Sequence, residues 1–486
     1  MVERLQAVAV WIDERLHLTR LFDSTAGHTV PASSGSWFYV FGSGTLLCFV
    51  VQVLTGMLLA LVYVPSANDA WTSLIHLNYD QPLGWYLRAV HNWGSNFMVA
   101  IMTVHMIQVF LFGAFKYPRE LTWISGCVLL LCTLGMAFTG QVLRFDQDAY
   151  WGLGIGVAIL ARTPLLGGPL TTLLLGGPII AGPTLSRFFT LHVFVIPGLI
   201  IALVSMHLRL VLAAGINEYP VPGRGVDPAT YHEEYEALLQ KEGVPLFPRA
   251  IGKDLVFAGC VLLAILLCAA VLGPAGPNGP PDPTLIHTAP RPDFYFLPLF
   301  SVFALLPPYT ETFLMLVGPA VGIVILFLVP FLSNRGEKSA RRRPIAVLSV
   351  IIIMLSLSIL AYLGTFSPWS PVMDAWSGVP TPVEFVKHRP PLALQGALVL
   401  QEKQCRNCHS LGGQGGMRGP ALDDVAVRLT GDQLIRQVLQ GGGNMPAYGK
   451  NLRPDEVTAV VAFMLTLRPD YQPGARDSAV PAMAAR

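Results

Sequence analysis

The chain has 486 residues, of which 53% are hydrophobic and only 13% charged, and its formal net charge is +2. That charged fraction is about half of what an ordinary soluble protein carries, and several apolar runs exceed the ~20 residues needed to cross hydrocarbon. This excludes a soluble enzyme, and so small a net charge argues against nucleic acid as a partner. The fold class that follows is all-α: a polytopic membrane helix bundle of about seven spans, with a small all-α domain at the C-terminal end.

Residues 1–35 mix Glu3, Arg4, Asp13, Glu14 and Arg15 with no apolar core, so no cleavable signal peptide is read there. Leu5, Val8, Trp11, Ile12 and Leu16 stand near helical spacing and predict an interfacial amphipathic helix. The first span covers about 36–63 and holds Gly42 and Gly56, 14 residues apart. The third, about 121–143, repeats the interval with Gly126 and Gly140. Glycine is common in membrane helices, but the same interval separates two histidines in the second span.

The second span, about 85–113, carries His91 and His105; the fourth, about 185–213, carries His192 and His207, 15 residues apart. At about 1.5 Å and about 100° per residue, either spacing returns the second histidine near the same face, about 21 Å further along. Two such helices side by side pair His91 with His192 and His105 with His207, giving two bis-imidazole sites stacked along one axis. A lone histidine on an apolar face reads as a satisfied core residue. Four at matched spacings inside membrane spans, where ionisable groups are costly, read as ligands. Neutral imidazole suits haem iron and a bundle interior holds the macrocycle, so two non-covalent haems b are expected. The four glycines would let them lie against the backbone.

Residues 144–184, rich in Gly and Pro, predict short surface helices, and a polar connection at 214–250 contains Arg224, Lys241 and Arg249. The fifth span is about 252–272, followed by a proline-dense loop at 273–298 that ends Arg291-Pro292-Asp293-Phe294-Tyr295. The sixth (about 311–332) and seventh (about 344–364) flank a basic loop with Arg335, Lys338, Arg341, Arg342 and Arg343. Loop 64–84 has no Lys or Arg, while Lys116, Arg119, Arg224, Lys241, Arg249, Lys253 and the arginine run share the N-terminal side. By the positive-inside rule that side is cytoplasmic. The expected location is the inner membrane of a bacterial-type cell, with His91 and His192 near the outer face.

The domain reading is 1–214 for the dihaem four-helix bundle, 215–365 for the three-span part, 366–394 for a Pro-rich extended linker, 395–470 for a small outer domain, and 471–486 for a tail. Cys48, Cys127, Cys132, Cys260 and Cys268 lie scattered in apolar segments and read as small hydrophobes. Cys405-Arg-Asn-Cys408-His409 is instead the attachment signature of c-type haem. Its thiols would form thioethers to one covalent haem c, with His409 as proximal ligand. Met445, before the last helix, is the expected second ligand, and a His/Met pair raises the haem potential; Met417 is its rival. A redox dithiol is disfavoured because no βαβ pattern surrounds the motif and a histidine follows directly.

These residues carry a resemblance. The first four spans resemble cytochrome b of the cytochrome bc complexes, most of all the shorter chloroplast-type branch, through Gly113-Ala-Phe-Lys-Tyr-Pro-Arg-Glu-Leu-Thr-Trp123, Asp146-Gln-Asp-Ala-Tyr-Trp151 and Leu185-Ser-Arg-Phe-Phe-Thr-Leu-His192. The last three resemble that branch's second polypeptide, with Pro292-Asp-Phe-Tyr295 in place of Pro-Glu-Trp-Tyr, and 395–470 is similar to class I cytochromes c. The resemblance implies quinol oxidation near the outer haem, with one electron passing to a Rieske iron–sulfur partner and one to the haem b pair. Quinone reduction on the inner side and proton translocation complete that scheme. It implies Asp293 as the carboxylate that accepts a quinol proton, Tyr295 and Tyr150 as site tyrosines, and Arg88 and Arg187 as haem propionate partners. Asp23, Arg209 and Lys116 become inner quinone-site candidates.

The Asp form of the loop resembles that of relatives using menaquinol, which is therefore favoured over ubiquinol. The acceptor would be cytochrome c or a terminal oxidase, membrane lipid surrounds the chain, and a homodimeric complex is expected. Two departures stand out. Val40 occupies the place where the chloroplast-type branch often has a cysteine for an extra covalent inner haem, so that haem is not expected. Gly140-Gln-Val-Leu-Arg-Phe-Asp146 lacks the family's usual tyrosine and Pro-Trp pair, so the outer pocket's lining differs. Two rivals remain at this stage: a dihaem conduit or anchor for another redox enzyme without quinol oxidation of its own, and a dihaem anchor that only reduces quinone. The Asp293 loop is the feature against both.

Overall fold

A computed structural model describes residues 2–17, 19–20, 27–177, 179–282, 291–306, 308–366, 379–416, 419–441, 445, 448–449 and 452–471. Seven helices are long and apolar enough to cross a membrane: Phe41–Ala60, Gly84–Leu111, Glu120–Leu143, Gly182–Ala214, Leu246–Leu272, Thr312–Leu332 and Pro344–Phe366. Hydrocarbon offers no partner for backbone N–H and C=O groups, so runs of this composition close their own hydrogen bonds as helices. The first, second and fifth share one core, in which Cys48, Val51, Ala89, Val90, Met98 and Met102 meet Val261, Ile265 and Ala269. The sixth packs on the third through Phe115, Trp123 and Cys127 against Leu326, Phe327 and Val329. The seventh lies on the short helix Leu297–Leu305, where Ser301 Oγ donates to the Leu360 carbonyl beside Gly364.

The fourth span resolves the unequal histidine spacings. One turn of it, Leu191–Val195, is π-helical and contains His192. A π turn takes one residue more than an α turn, so the 15-residue interval there matches the 14-residue interval of the second span. Pro197 follows directly and has no N–H to return to the carbonyl four residues back, which favours the wider turn.

The basic residues do more than mark a side. Three helices end at the basic face, and each receives a cation from a neighbouring segment. Arg119 donates to the carbonyls of Ala214 and Gly215 at 3.2 and 3.0 Å and to Tyr231 Oη at 2.6 Å, capping the fourth span. Lys116 Nζ caps the sixth, donating to the Ser333 and Arg335 carbonyls at 2.7 Å and to Ser333 Oγ at 3.0 Å. Arg343 donates to the Phe110 carbonyl of the second at 3.0 Å. Cations satisfy terminal carbonyls and oppose the helix dipole. Lys116, expected as an inner quinone-site candidate, makes this cap; Asp23 lies outside the described residues. Burial lowers the Lys116 ammonium to about 8. Two short antiparallel pairs, Thr29–Pro31 with Gly243–Pro245 and Gly225–Val226 with Gly336–Glu337, and a buried Lys338–Glu218 ion pair of 2.8 Å tie the same segments together.

At the other end, the expected short helices are Gln147–Ala161 and Gly167–Leu175, and a further one, Ala70–Tyr79, follows the first span. The loop after the fifth span is stitched to them. Gln147 N donates to the Gly279 carbonyl at 3.0 Å, and Asp146 Oδ2 accepts from Asn278 N at 2.9 Å. The C-terminal domain packs Pro391–Glu402, Gly431–Gln440 and Pro454–Leu465 around Leu400, Leu411, Leu434 and Phe463. It begins earlier than the composition suggests. Helix Pro391–Glu402 starts inside the stretch expected to be linker, Phe385 and Val386 pack on the domain core, and Arg406 donates to the Val379 and Pro380 carbonyls.

Replacing Arg119 by Met removes three hydrogen bonds from a charged donor at a buried helix end. Thermal unfolding of the detergent-solubilised protein should register a loss of about 2–3 kcal/mol, with Arg119→Lys intermediate. An unchanged midpoint would mean that water replaces the cap without cost.

Candidate functional site

The structure brings the histidines together in the expected pairs. The rings of His91 and His192 face each other with centroids 6.4 Å apart and planes at 76°. A metal bonded at about 2 Å to two opposed ring nitrogens sets the ring centres about 6 Å apart, so this pair has the span of a bis-imidazole site. His105 and His207 form the second pair towards the basic face, close enough to interact electrostatically.

Each glycine of the two fourteen-residue intervals meets one imidazole. A Cβ on Gly56 would lie 3.2 Å from His91 Cε1, on Gly42 3.3 Å from His105 Cε1, on Gly126 3.5 Å from His207 Cε1, and on Gly140 2.7 Å from His192 Cε1. The glycines, expected to admit a macrocycle to the backbone, in this structure admit the ligand rings themselves. The first span thereby faces the second, and the third faces the fourth.

Three hydroxyls hold the rings, and these the sequence reading missed. Thr55 Oγ1 lies 2.8 Å from His91 Nδ1, Thr139 Oγ1 3.0 Å from His192 Nδ1, and Ser125 Oγ 2.8 Å from His207 Nδ1. Each hydroxyl already donates its proton to a carbonyl of its own helix, those of Val51, Met136 and Thr122. The imidazole Nδ1–H must therefore be the donor, which leaves Nε2 with its lone pair available to a metal. The readable signal was a Ser or Thr immediately before glycine, in Thr55-Gly56, Ser125-Gly126 and Thr139-Gly140.

The arginines expected near haem propionates are engaged with the chain. Arg88, buried, donates to Asn78 Oδ1 at 2.8 Å, to the Ala275 carbonyl at 2.9 Å and to the Gly276 carbonyl. Arg187 donates to the carbonyls of Thr172 and Leu173. In this structure both therefore clamp surface connections.

At the same end as His91 and His192, Tyr295 Oη donates to Asp293 Oδ2 at 2.7 Å. Burial and the adjacent Asp293 push the Tyr295 phenol far above its ordinary range, so it stays a protonated donor. Phe296 packs edge-on to Phe138, two residues before Gly140, which seats this turn against the third span beside His192. Arg144, where the sequence departs from the resemblance, stands 3.4 Å from the fully buried Asp146. Tyr150 packs on Phe145 and Trp151, and burial raises its phenol to about 12. Among the described residues no hydrogen bond joins Tyr150 to Asp293 or Tyr295.

In the C-terminal domain, Cys405 and Cys408 are not joined in a disulfide. His409 Nδ1 is 2.7 Å from the Pro420 carbonyl, and Gly419 abuts its ring, so Nε2 is again the free nitrogen. Met445 packs against the domain core and its Sδ accepts from Gln437 Nε2 at 3.4 Å. Met417 lies outside the described residues. These residues fit a covalently held haem with one fixed imidazole ligand, as the helix-borne pairs fit non-covalent ones.

Comparison with known proteins agrees. Residues 27–215 match the family model "Cytochrome b/b6/petB", 280–379 match "Cytochrome b(C-terminal)/b6/petD", and 392–464 match "Cytochrome C oxidase, cbb3-type, subunit III". The chain is 32% identical over 363 residues to a cytochrome bc complex cytochrome b subunit of Chlorobaculum thiosulfatiphilum, covering 73% of this chain and 80% of the relative. It is 37% identical over 220 residues to a menaquinol:cytochrome c reductase cytochrome b subunit of Bacillus subtilis, covering 44% of this chain and 98% of that one. A solved hyperthermophilic respiratory Complex III aligns with a TM-score of 0.59 at 29% identity, covering 74% of this chain and 91% of that chain. With its paired histidines, seven spans and CxxCH domain on one polypeptide, the chain belongs to the cytochrome b family of cytochrome bc complexes and carries a cytochrome c domain at its C-terminal end.

Proposed function

We propose that this chain is the cytochrome b/c subunit of a quinol:cytochrome c oxidoreductase, oxidising menaquinol near the His91/His192 pair. The observation that carries this reading is the Asp293–Tyr295 hydrogen bond, held in a turn that packs on the third span beside His192. Asp293 is the general base: its carboxylate accepts a hydroxyl proton of the quinol and passes it outward, while Tyr295, kept protonated, fixes the carboxylate's orientation. His91 with His192 and His105 with His207 would hold two haems b, and Cys405, Cys408, His409 and Met445 one haem c; bound there, these groups supply reversible one-electron storage. Of the quinol's two electrons, one goes to a Rieske iron–sulfur partner and on through the cytochrome c domain to cytochrome c or a terminal oxidase. The other would reach a quinone at the basic end by way of the groups that His91 with His192 and His105 with His207 would hold.

The basic end is the cytoplasmic side of an inner membrane, the cytochrome c domain lies outside, and the separation of quinol oxidation from quinone reduction contributes to a proton gradient. A homodimer is the assembly. The menaquinol reading rests on Asp293 in the loop and on the name of the Bacillus subtilis relative, a menaquinol:cytochrome c reductase subunit.

Asp293→Asn should keep the haem spectra and slow quinol oxidation by roughly 100-fold or more, the usual share of general-base transfer, whereas Asp293→Glu retains part of the rate. The assay is steady-state cytochrome c reduction with menaquinol and ubiquinol analogues. Turnover of Asp293→Asn at the wild-type rate would reassign the outer site, and oxidation of ubiquinol alone would remove the menaquinol reading.

Alanine at the four glycines gives a graded test of the haem sites. Gly140→Ala, with 2.7 Å available to its Cβ, should lose the outer haem most completely, Gly56→Ala and Gly42→Ala less, and Gly126→Ala, at an ordinary 3.5 Å, should retain its haem. Equal losses at all four would show that something other than ring contact limits binding. On a haem-stained denaturing gel, one covalent haem should be present and should vanish in Cys405→Ala/Cys408→Ala; a band that survives would point to an attachment elsewhere.

A further inference from the structure

The two histidine pairs are not supported alike. Both outer imidazoles donate Nδ1–H to a hydroxyl, His91 to Thr55 and His192 to Thr139. At the inner pair only His207 does so, to Ser125. His105 Nδ1 is buried with no hydrogen-bond partner among the described residues. The first span explains the difference. Gly42 stands to His105 as Gly56 stands to His91, and both the glycines and the histidines are 14 residues apart. The position equivalent to Thr55 is therefore residue 41, and it is Phe41, whose ring packs edge-on to Phe257 and carries no acceptor.

An imidazole that donates Nδ1–H to a fixed acceptor presents a more electron-rich Nε2. A more basic ligand stabilises the oxidised iron and lowers its potential. The acceptors here are fixed, because each hydroxyl proton is spent on a carbonyl of its own helix. We propose that Thr55, Thr139 and Ser125 act as positioning residues that tune the iron potentials, and that Phe41, by leaving His105 without an acceptor, makes the inner site the better electron holder. This rests on the assignment of two b haems made above. It assigns a difference in potential between the two sites to four side chains outside the set of histidine ligands. Gln108, buried one turn beyond His105 on the same helix, is the other polar group beside that ring and the natural competitor for the role.

The test is an equilibrium redox titration of the full chain in its membrane complex, followed at the b-haem absorbance bands without turnover. Thr55→Val and Thr139→Val should each raise the outer potential and leave the inner one unmoved, and Ser125→Ala should raise the inner. Phe41→Ser should lower the inner potential relative to Phe41→Ala, which removes the same ring without supplying an acceptor. Coincidence of the Phe41→Ser and Phe41→Ala titrations would overturn the role of residue 41. So would a shift in Gln108→Leu where that pair shows none. Unmoved outer potentials in both Val variants, with haem spectra intact, would overturn the tuning as a whole. A wild type lacking two bis-imidazole haem spectra would overturn the haem assignment itself, a result distinguishable from the others because no variant is needed to see it.

Discussion

The rest of this structure depends on how closely a glycine backbone can approach an imidazole across two antiparallel helices. The contact occurs four times, at Gly42, Gly56, Gly126 and Gly140, and each time the histidine belongs to the next membrane span in the chain. Because glycines and histidines repeat at the same interval, one crossing geometry satisfies both contacts of a helix pair. Register, rotation and separation of the helices are then set together, as in any interface where small residues admit close approach. A one-residue slip would break both contacts at once. That sensitivity accounts for the π turn at Leu191–Val195, which absorbs the extra residue between His192 and His207 and keeps the second helix pair in step with the first.

The electrostatic architecture is equally local. Lys116, Arg119 and Arg343 look in the sequence like charges that mark a membrane side, and in the fold each is spent on the carbonyl end of a different helix. The helices they cap are those whose C-termini arrive at that face. At the opposite end the corresponding work is done by Arg88 and Asp146. They bind the loop after the fifth span at Ala275, Gly276 and Asn278.

Much of this was legible in the chain itself. The spans stood out because hydrocarbon demands length and apolarity together, and the seven helices lie within a few residues of the expected ranges. The histidine pairs were legible through periodicity, and the CxxCH motif through its spacing. What remained hidden did so for identifiable reasons. Thr55, Ser125 and Thr139 were passed over because a hydroxyl in a membrane helix ordinarily satisfies itself on its own preceding turn; these do that and accept from a histidine as well. The start of the C-terminal domain is hidden because prolines signal an extended linker, whereas Pro391 here opens a helix and Phe385 and Val386 before it dock on the domain. Arg88 and Arg187 were read for charge, and their hydrogen bonds to backbone carbonyls could not be seen without the loops folded beside them.

The docking of Val379, Pro380 and Phe385 on the cytochrome c domain limits how far that domain can stand from the seventh span. With the seventh span ending at Phe366, only residues 367–378 join the two described parts, instead of the longer stretch that composition suggests. A tether of that length reaches at most about 40 Å even when fully stretched. The domain can therefore stand no further than that from the end of the seventh span. That reach is set by the length of the connection, so an insertion within it would extend the reach without altering a contact in either described part.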